Sequence, residues 1–189
     1  MPSKTLRQPE DYVAAGLASP AQASEIARVA EQYAVAMTPE FAALVDKADP
    51  NDPILAQFRP DLRELDTRIE ENSDPIGDTA HTPVKGIVHR HPDRVLLKAV
   101  SVCPVYCRFC FRREMVGPDK DNMLNAGQLA EALDYIRRHD QIWEVILTGG
   151  DPFMLSPRRA SDITRALEEI SHVRVIRWHT RMPVASPSR

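Results

Sequence analysis

The chain has 189 residues, of which 43% are hydrophobic, and a formal net charge of −3. That length suits one ordinary domain, or a small module joined to part of a larger one. The charge gives no global electrostatic case for nucleic-acid binding, no apolar run reaches the ~20 residues that span a bilayer, and the opening MPSKTLRQPEDY lacks a secretory apolar core. A cytoplasmic protein is expected.

In chain order, the first third reads as helical. Ser19-Pro20 forms an N-cap and N1 pair, after which Ile26, Val29, Tyr33 and Met37 recur at helical spacing. Thr38-Pro39 offers a second cap, followed by Phe41, Leu44 and Val45 on one face. DKADPNDP breaks that helix, because Pro50 and Pro53 remove backbone donors and restrict their predecessors. Residues 1–73 are therefore expected to form a helical packing layer without chemistry of its own.

From Asp74 the texture changes, and 74–189 reads as a second region. DPIGDTAHTPVKGIVHRHPDRV is rich in Pro, Gly, His and Asp, with a short strand expected around Gly86–Arg90 and a turn at His91-Pro92-Asp93. RVLLKAV follows as a compact apolar run suited to a buried strand. Asn125 can cap a helix over Ala126–His139 that turns Leu129, Leu133 and Ile136 inward. IWEVILTGG reads as a second buried strand, Ser156-Pro157 opens a helix through Ile170, and VRVIRWH is a third strand. Strand, helix, strand, helix, strand implies an α/β fold with a parallel sheet and right-handed crossovers.

Between the first of these strands and the Asn125 helix lies SVCPVYCRFCFRRE, residues 101–114, which holds all three cysteines. Cys103, Cys107 and Cys110 are spaced C-x₃-C-x₂-C, an odd number in a short loop, which does not suit a disulfide framework. The loop follows a strand's C-terminal end, where function gathers in parallel α/β folds. Two readings stay open on chemistry alone. One is a Cys₃His zinc site, with His89 or His91 bending back as fourth ligand. The other is a [4Fe–4S] cluster on three thiolates, with one iron left open for an exogenous ligand. Arg108, Arg112 and Arg113 would offset cluster charge and supply donors to anionic groups. His81, His139, His172 and His179 are read as ordinary polar residues.

The motifs carry a family resemblance. C-x₃-C-x₂-C after a first barrel strand, followed one βα unit later by TGGDP at 148–152, resembles the radical S-adenosylmethionine enzymes. The resemblance implies a partial radical S-adenosylmethionine (βα) barrel, with Cys103, Cys107 and Cys110 as cluster ligands and S-adenosylmethionine chelating the open iron to give a 5′-deoxyadenosyl radical. It places Phe109 near the adenine and Gly149, Gly150 and Asp151 at the methionyl end, the glycines permitting close backbone approach. DPNDPI, the Asp74–Leu97 stretch, YCRFCFRRE, TGGDP and RMPVASPSR follow in order the pattern of the lysine 2,3-aminomutase subfamily, from about Ile26 onward. That subfamily also uses pyridoxal phosphate, to which Arg90 and Arg94 are assigned as phosphate contacts, and Arg112 matches the arginine that grips the substrate carboxylate. His91 stands where the family usually has tyrosine.

The pattern also implies what to look for elsewhere. The family's anchoring lysine lies in a later part of the chain, whereas the lysines here are Lys4, Lys47, Lys85, Lys98 and Lys120, so no catalytic residue is assigned. Three barrel strands of six are accounted for. The expectation is an aminomutase-type isomerase, present as a fragment or incomplete barrel that folds poorly or associates as a homo-oligomer or with a complementing half. It would act on L-lysine or a related small-molecule amino acid, with a flavodoxin- or ferredoxin-like electron donor and no nucleic-acid or membrane partner. Two alternatives remain: a non-catalytic zinc or interaction module, and a relative acting on protein-bound lysine, as in elongation factor P modification.

Overall fold

A computed structural model describes residues 4–117 and 122–188, so Lys120 lies outside the described residues. The helices are α1 (Pro9–Ala14), α2 (Pro20–Ala30), α3 (Pro39–Leu44), α4 (Pro53–Phe58), α5 (Ala126–Arg138), α6 (Pro157–Glu168) and α7 (Met182–Ala185). The strands are β1 (Ile87–His91), β2 (Arg94–Val100), β3 (Glu144–Gly149) and β4 (Val175–Trp178). The chain divides into two compact units. Unit 1 comprises Met1–Pro75, Pro104–Met115 and Met182–Arg189, and unit 2 comprises Ile76–Cys103 and Val116–Arg181.

Unit 1 is built from short helices, and α1 to α4 each carry proline at the first turn, where its missing N–H costs nothing. Ser19 and Gln22 form a reciprocal capping box on α2. Asp52 caps α4 by accepting from the Leu55 amide at 2.6 Å, and its other oxygen accepts from the Asp46 amide at 3.0 Å. Pro53, expected as a breaker, is the N1 residue of that helix. Tyr12, Ile26, Met37, Phe41 and Phe58 fill the core, with the Phe41 and Phe58 rings 4.5 Å apart.

Three expectations change here. α2 ends at Ala30, so Tyr33 is buried from the turn that follows it and Met37 from extended chain, where it exchanges both backbone hydrogen bonds with Leu6. Leu44 does not join Phe41 inside, because α3 stops after six residues and leaves it 65% exposed. Thr38 precedes α3 but caps nothing, its hydroxyl donating instead to the Ala185 carbonyl at 2.5 Å.

Unit 2 follows the expected βαβαβ order. β2, β3 and β4 pair in parallel, with α5 and α6 as the connections. β1 departs from a wholly parallel sheet: it turns back at Pro92–Asp93 and runs antiparallel to β2, so the sheet is mixed, in the order β1-β2-β3-β4. Its two edges are not joined, so no closed barrel exists among the described residues. Alternation assigns the two faces. Val95, Leu97, Val145 and Leu147 pack against Leu133, Ile136, Ile163 and Leu167 of α5 and α6. Fully burying each such side chain is worth roughly 1.5–3 kcal/mol. The opposite face carries Arg94, Lys98, Glu144, Thr148 and Arg177. Within unit 2, then, one sheet face is apolar and the other sets charged residues beside Leu96 and Ile146.

Candidate metal centre

β2 leads directly into the cysteine loop. Its continuation is fixed within unit 2 by backbone bonds: Ser101 donates to Asn122 O, Gly117 donates to Ser101 O, and Gly150 and Asp151 donate to Val100 O and Val102 O at 2.7 and 2.9 Å. The double glycine after β3 exists for this approach. Gly149 has φ +126°, and a Cβ there would stand 2.2 Å from Val100 O; at Gly150 a Cβ would stand 2.3 Å from Val102 O. Cys103 is therefore delivered by a stem that β3's glycines press against. Asp151 is buried, its carboxylate accepting from Phe153 N, the Thr180 hydroxyl and Arg181 N.

Cys107 and Cys110 belong to unit 1. Val105 and Tyr106 are buried there, Tyr106 N donating to Ala36 O and Arg108 N to Gln57 O. Cys110 N donates to Cys107 O at 3.1 Å, which closes a turn holding both cysteines. The Arg108 guanidinium forks onto Glu64, at 3.0 Å from Nε to Oε1 and 2.5 Å from Nη2 to Oε2, and also donates to Ala34 O. Its side chain is only 9% exposed. Arg113 lies 4.3 Å over the Tyr33 ring and 3.8 Å from Glu64. Burial pushes the Tyr33 hydroxyl pKa up, with Arg113 pulling against it.

Arg108 thus anchors the loop within unit 1, and Arg113 leans on the same carboxylate. Sequence reasoning missed Glu64 because a partner 44 residues away leaves no local signal. Tyr33, Glu70, Glu71, Phe111 and Glu114 line a cavity of about 520 Å³ onto which Cys110 opens. Arg112 stacks 4.6 Å over Phe111, and Phe109 is 65% exposed.

All three cysteines are half-buried thiols. Among the described residues no three His, Cys, Asp or Glu side chains are grouped to enclose a metal ion. The loop supplies donor type and spacing. The donor set suits an iron–sulfur cluster, which takes thiolates.

The histidines do not complete a zinc site. His89 Nδ1 lies 2.7 Å from the Tyr135 hydroxyl on the α5 side of the sheet, beside the stacked Tyr135–His139 pair, and His91 pairs with Arg94 across the β1–β2 turn.

Arg90 and Arg94 are engaged too. Arg90 reaches Ile76 O and the buried carboxylate of Asp78, which Lys98 also approaches at 3.6 Å. Arg94 forks onto Asp93 at 2.9 and 2.8 Å and lies 3.3 Å from buried Glu144, which Arg177 meets at 2.7 Å. The Arg94 fork and the Trp143 indole N–H hold the Asp93 carboxyl well below the usual carboxylate range. Arg94 opens β2 whereas Cys103 follows its end, so the strand's length separates the two.

Residues 98–185 match the Radical SAM superfamily model, a span that includes all three cysteines and the double glycine. The L-lysine 2,3-aminomutase of Clostridium subterminale is 38% identical over 164 residues, 87% of this chain and 39% of that protein. The L-lysine 2,3-aminomutase of Acetoanaerobium sticklandii is 36% identical over 171 residues, 90% of this chain and 41% of that protein. The glutamate 2,3-aminomutase of Clostridioides difficile is 35% identical over 164 residues, 87% of this chain and 38% of that protein. The chain spans about two fifths of the length of these curated relatives. No helix among the described residues is long and apolar enough to cross a membrane. By its thiol loop, its glycine turn and these likenesses, the chain is similar to the radical SAM superfamily over residues 98–185 and, over most of its length, to part of the lysine and glutamate 2,3-aminomutases.

Proposed function

We propose that this chain carries the cluster- and S-adenosylmethionine-binding part of an aminomutase, an isomerase that moves an amino group between adjacent carbons of lysine or a related amino acid. The observation that carries the reading is the half-buried thiol trio on the loop after β2, its stem pressed by Gly149 and Gly150. A [4Fe–4S] cluster with S-adenosylmethionine would supply a 5′-deoxyadenosyl radical for hydrogen abstraction.

The chain's own residues have separate tasks in this reading. Cys103, Cys107 and Cys110 ligate the cluster, leaving one iron for the amino acid end of S-adenosylmethionine. Gly149 and Gly150 bring backbone close to that end, and the exposed ring of Phe109 is offered to the adenine. Arg112 presents a planar fork suited to a substrate carboxylate. Arg108 and Glu64 hold the Cys107–Cys110 turn in place.

The arginines and lysines whose partners are described do not by themselves assemble a pyridoxal phosphate site. Arg90 and Arg94 are committed to carboxylates, Lys4 pairs with Asp11, Lys47 donates to Ala15 O, and Lys98 faces Asp78. No step of the reaction is routed through it on this chain. The reading calls for a flavodoxin- or ferredoxin-like electron donor. It also calls for protein that pairs with the open β4 edge and extends the sheet toward a barrel, either a second copy or a complementing half.

The test is electron paramagnetic resonance of the anaerobically reconstituted, reduced chain with and without S-adenosylmethionine. A cluster signal that changes on adding S-adenosylmethionine is expected. A cluster signal indifferent to it would contradict the assignment of the open iron.

A further inference from the structure

The C-terminal ends of all three parallel strands meet at one buried carboxylate in unit 2. Asp151, just past β3, is 4% exposed. Its Oδ1 accepts from Phe153 N at 2.9 Å and from the Thr180 hydroxyl at 2.6 Å, and its Oδ2 accepts from Arg181 N at 2.7 Å. Thr180 and Arg181 follow β4. The Asp151 amide donates to Val102 O at 2.9 Å, one residue before Cys103, on the continuation of β2. A carboxylate has about four acceptor sites, and three here are taken by the protein itself.

We propose that Asp151 is a positioning residue and not a cofactor contact. It ties the segment after β4 to the stem that presents Cys103, and so fixes where that thiol meets the cluster. The inference rests on the cluster reading above for what the thiol does, and on the hydrogen bonds alone for the clamp. Hydrogen bonds to a buried carboxylate are costly to leave unmade, so three of them can hold two loops in register.

The test uses the whole chain. Asp151→Asn replaces one acceptor oxygen by an NH₂ that must face at least one donor. Amide hydrogen exchange at Arg181 and Phe153 is expected to quicken by about tenfold or more, with Leu147 in β3 unchanged. An unchanged rate at Arg181 overturns the proposal.

Thr180→Val keeps the shape and removes the hydroxyl, and Thr180→Ser restores it. At equal iron content after anaerobic reconstitution, S-adenosylmethionine affinity per iron is expected to fall about tenfold in Thr180→Val and to recover in Thr180→Ser. Equal affinity per iron in all three proteins overturns the proposal, because a merely structural bond changes how much chain is loaded, not how the loaded chain binds. Should the wild-type chain take up no iron, the cluster reading fails by itself. The clamp is then judged by exchange at Arg181, where an unchanged rate overturns it.

Discussion

In unit 2, strands β2 and β3 place every second side chain against α5 and α6, so a residue's surroundings follow from its parity. In unit 1 no helix exceeds the eleven residues of α2, and order comes from caps and from bonds between distant segments, such as Arg108 to Glu64 and Thr38 to Ala185. The two regions contribute differently to the thiol loop. Unit 2 supplies Cys103 on a backbone stem that tolerates only glycine beside it. Unit 1 supplies Cys107 and Cys110 on a turn held by the Arg108–Glu64 ion pair and by backbone bonds to Ala36 and Gln57. A periodic core positions through its backbone, and a patchwork positions through individual side chains.

Substitutions can break this contrast, and the largest effect is expected in unit 2. Gly149→Ala adds a Cβ 2.2 Å from Val100 O at a backbone φ of +126°, and it should cost about 4 kcal/mol or more. Denaturant titration followed by tryptophan fluorescence reads this directly, since Trp143 and Trp178 both belong to unit 2. Next comes Glu64→Ala, which leaves the Arg108 guanidinium largely buried with only Ala34 O, at a cost of about 3 kcal/mol. Limited proteolysis of the 104–115 segment should accelerate. Asp52→Ala removes the cap of α4 and a second backbone bond, for a loss of about 1–2 kcal/mol by thermal unfolding.

The smallest effect is a matter of pH. Burial alone would raise the Asp11 carboxyl, but the amides of Arg7 and Gln8 and the Lys4 ion pair outweigh it and hold the pKa at about 2, below the ordinary 3.8. A depressed folded pKa gives stability that is present above the unfolded value and lost as pH falls through the folded one. The melting temperature difference between wild type and Asp11→Asn should therefore be full at pH 6 and gone by about pH 2. A difference that persists there would show that the charge is not its source.

The contrast also explains what the sequence disclosed. Leu129, Leu133 and Ile136 were legible as the inner face of α5, and the three parallel strands as apolar runs, because a period states burial locally. Tyr33, Met37 and Leu44 were misplaced because short helices stop before a period is established, so capping and tertiary contacts decide. At the site, the cysteine spacing and the glycine pair were readable, being backbone and donor requirements. The commitments of Arg90 and Arg108 were not, since each depends on a carboxylate brought close by folding.

The central claim is that three thiols on one loop hold an iron–sulfur cluster. Its most direct test is iron and acid-labile sulfide per chain after anaerobic reconstitution, for the wild type and for Cys107→Ala. About four of each per wild-type chain, with loss in the variant, is the predicted result. Zinc in place of iron, or full iron retention by Cys107→Ala, would contradict it.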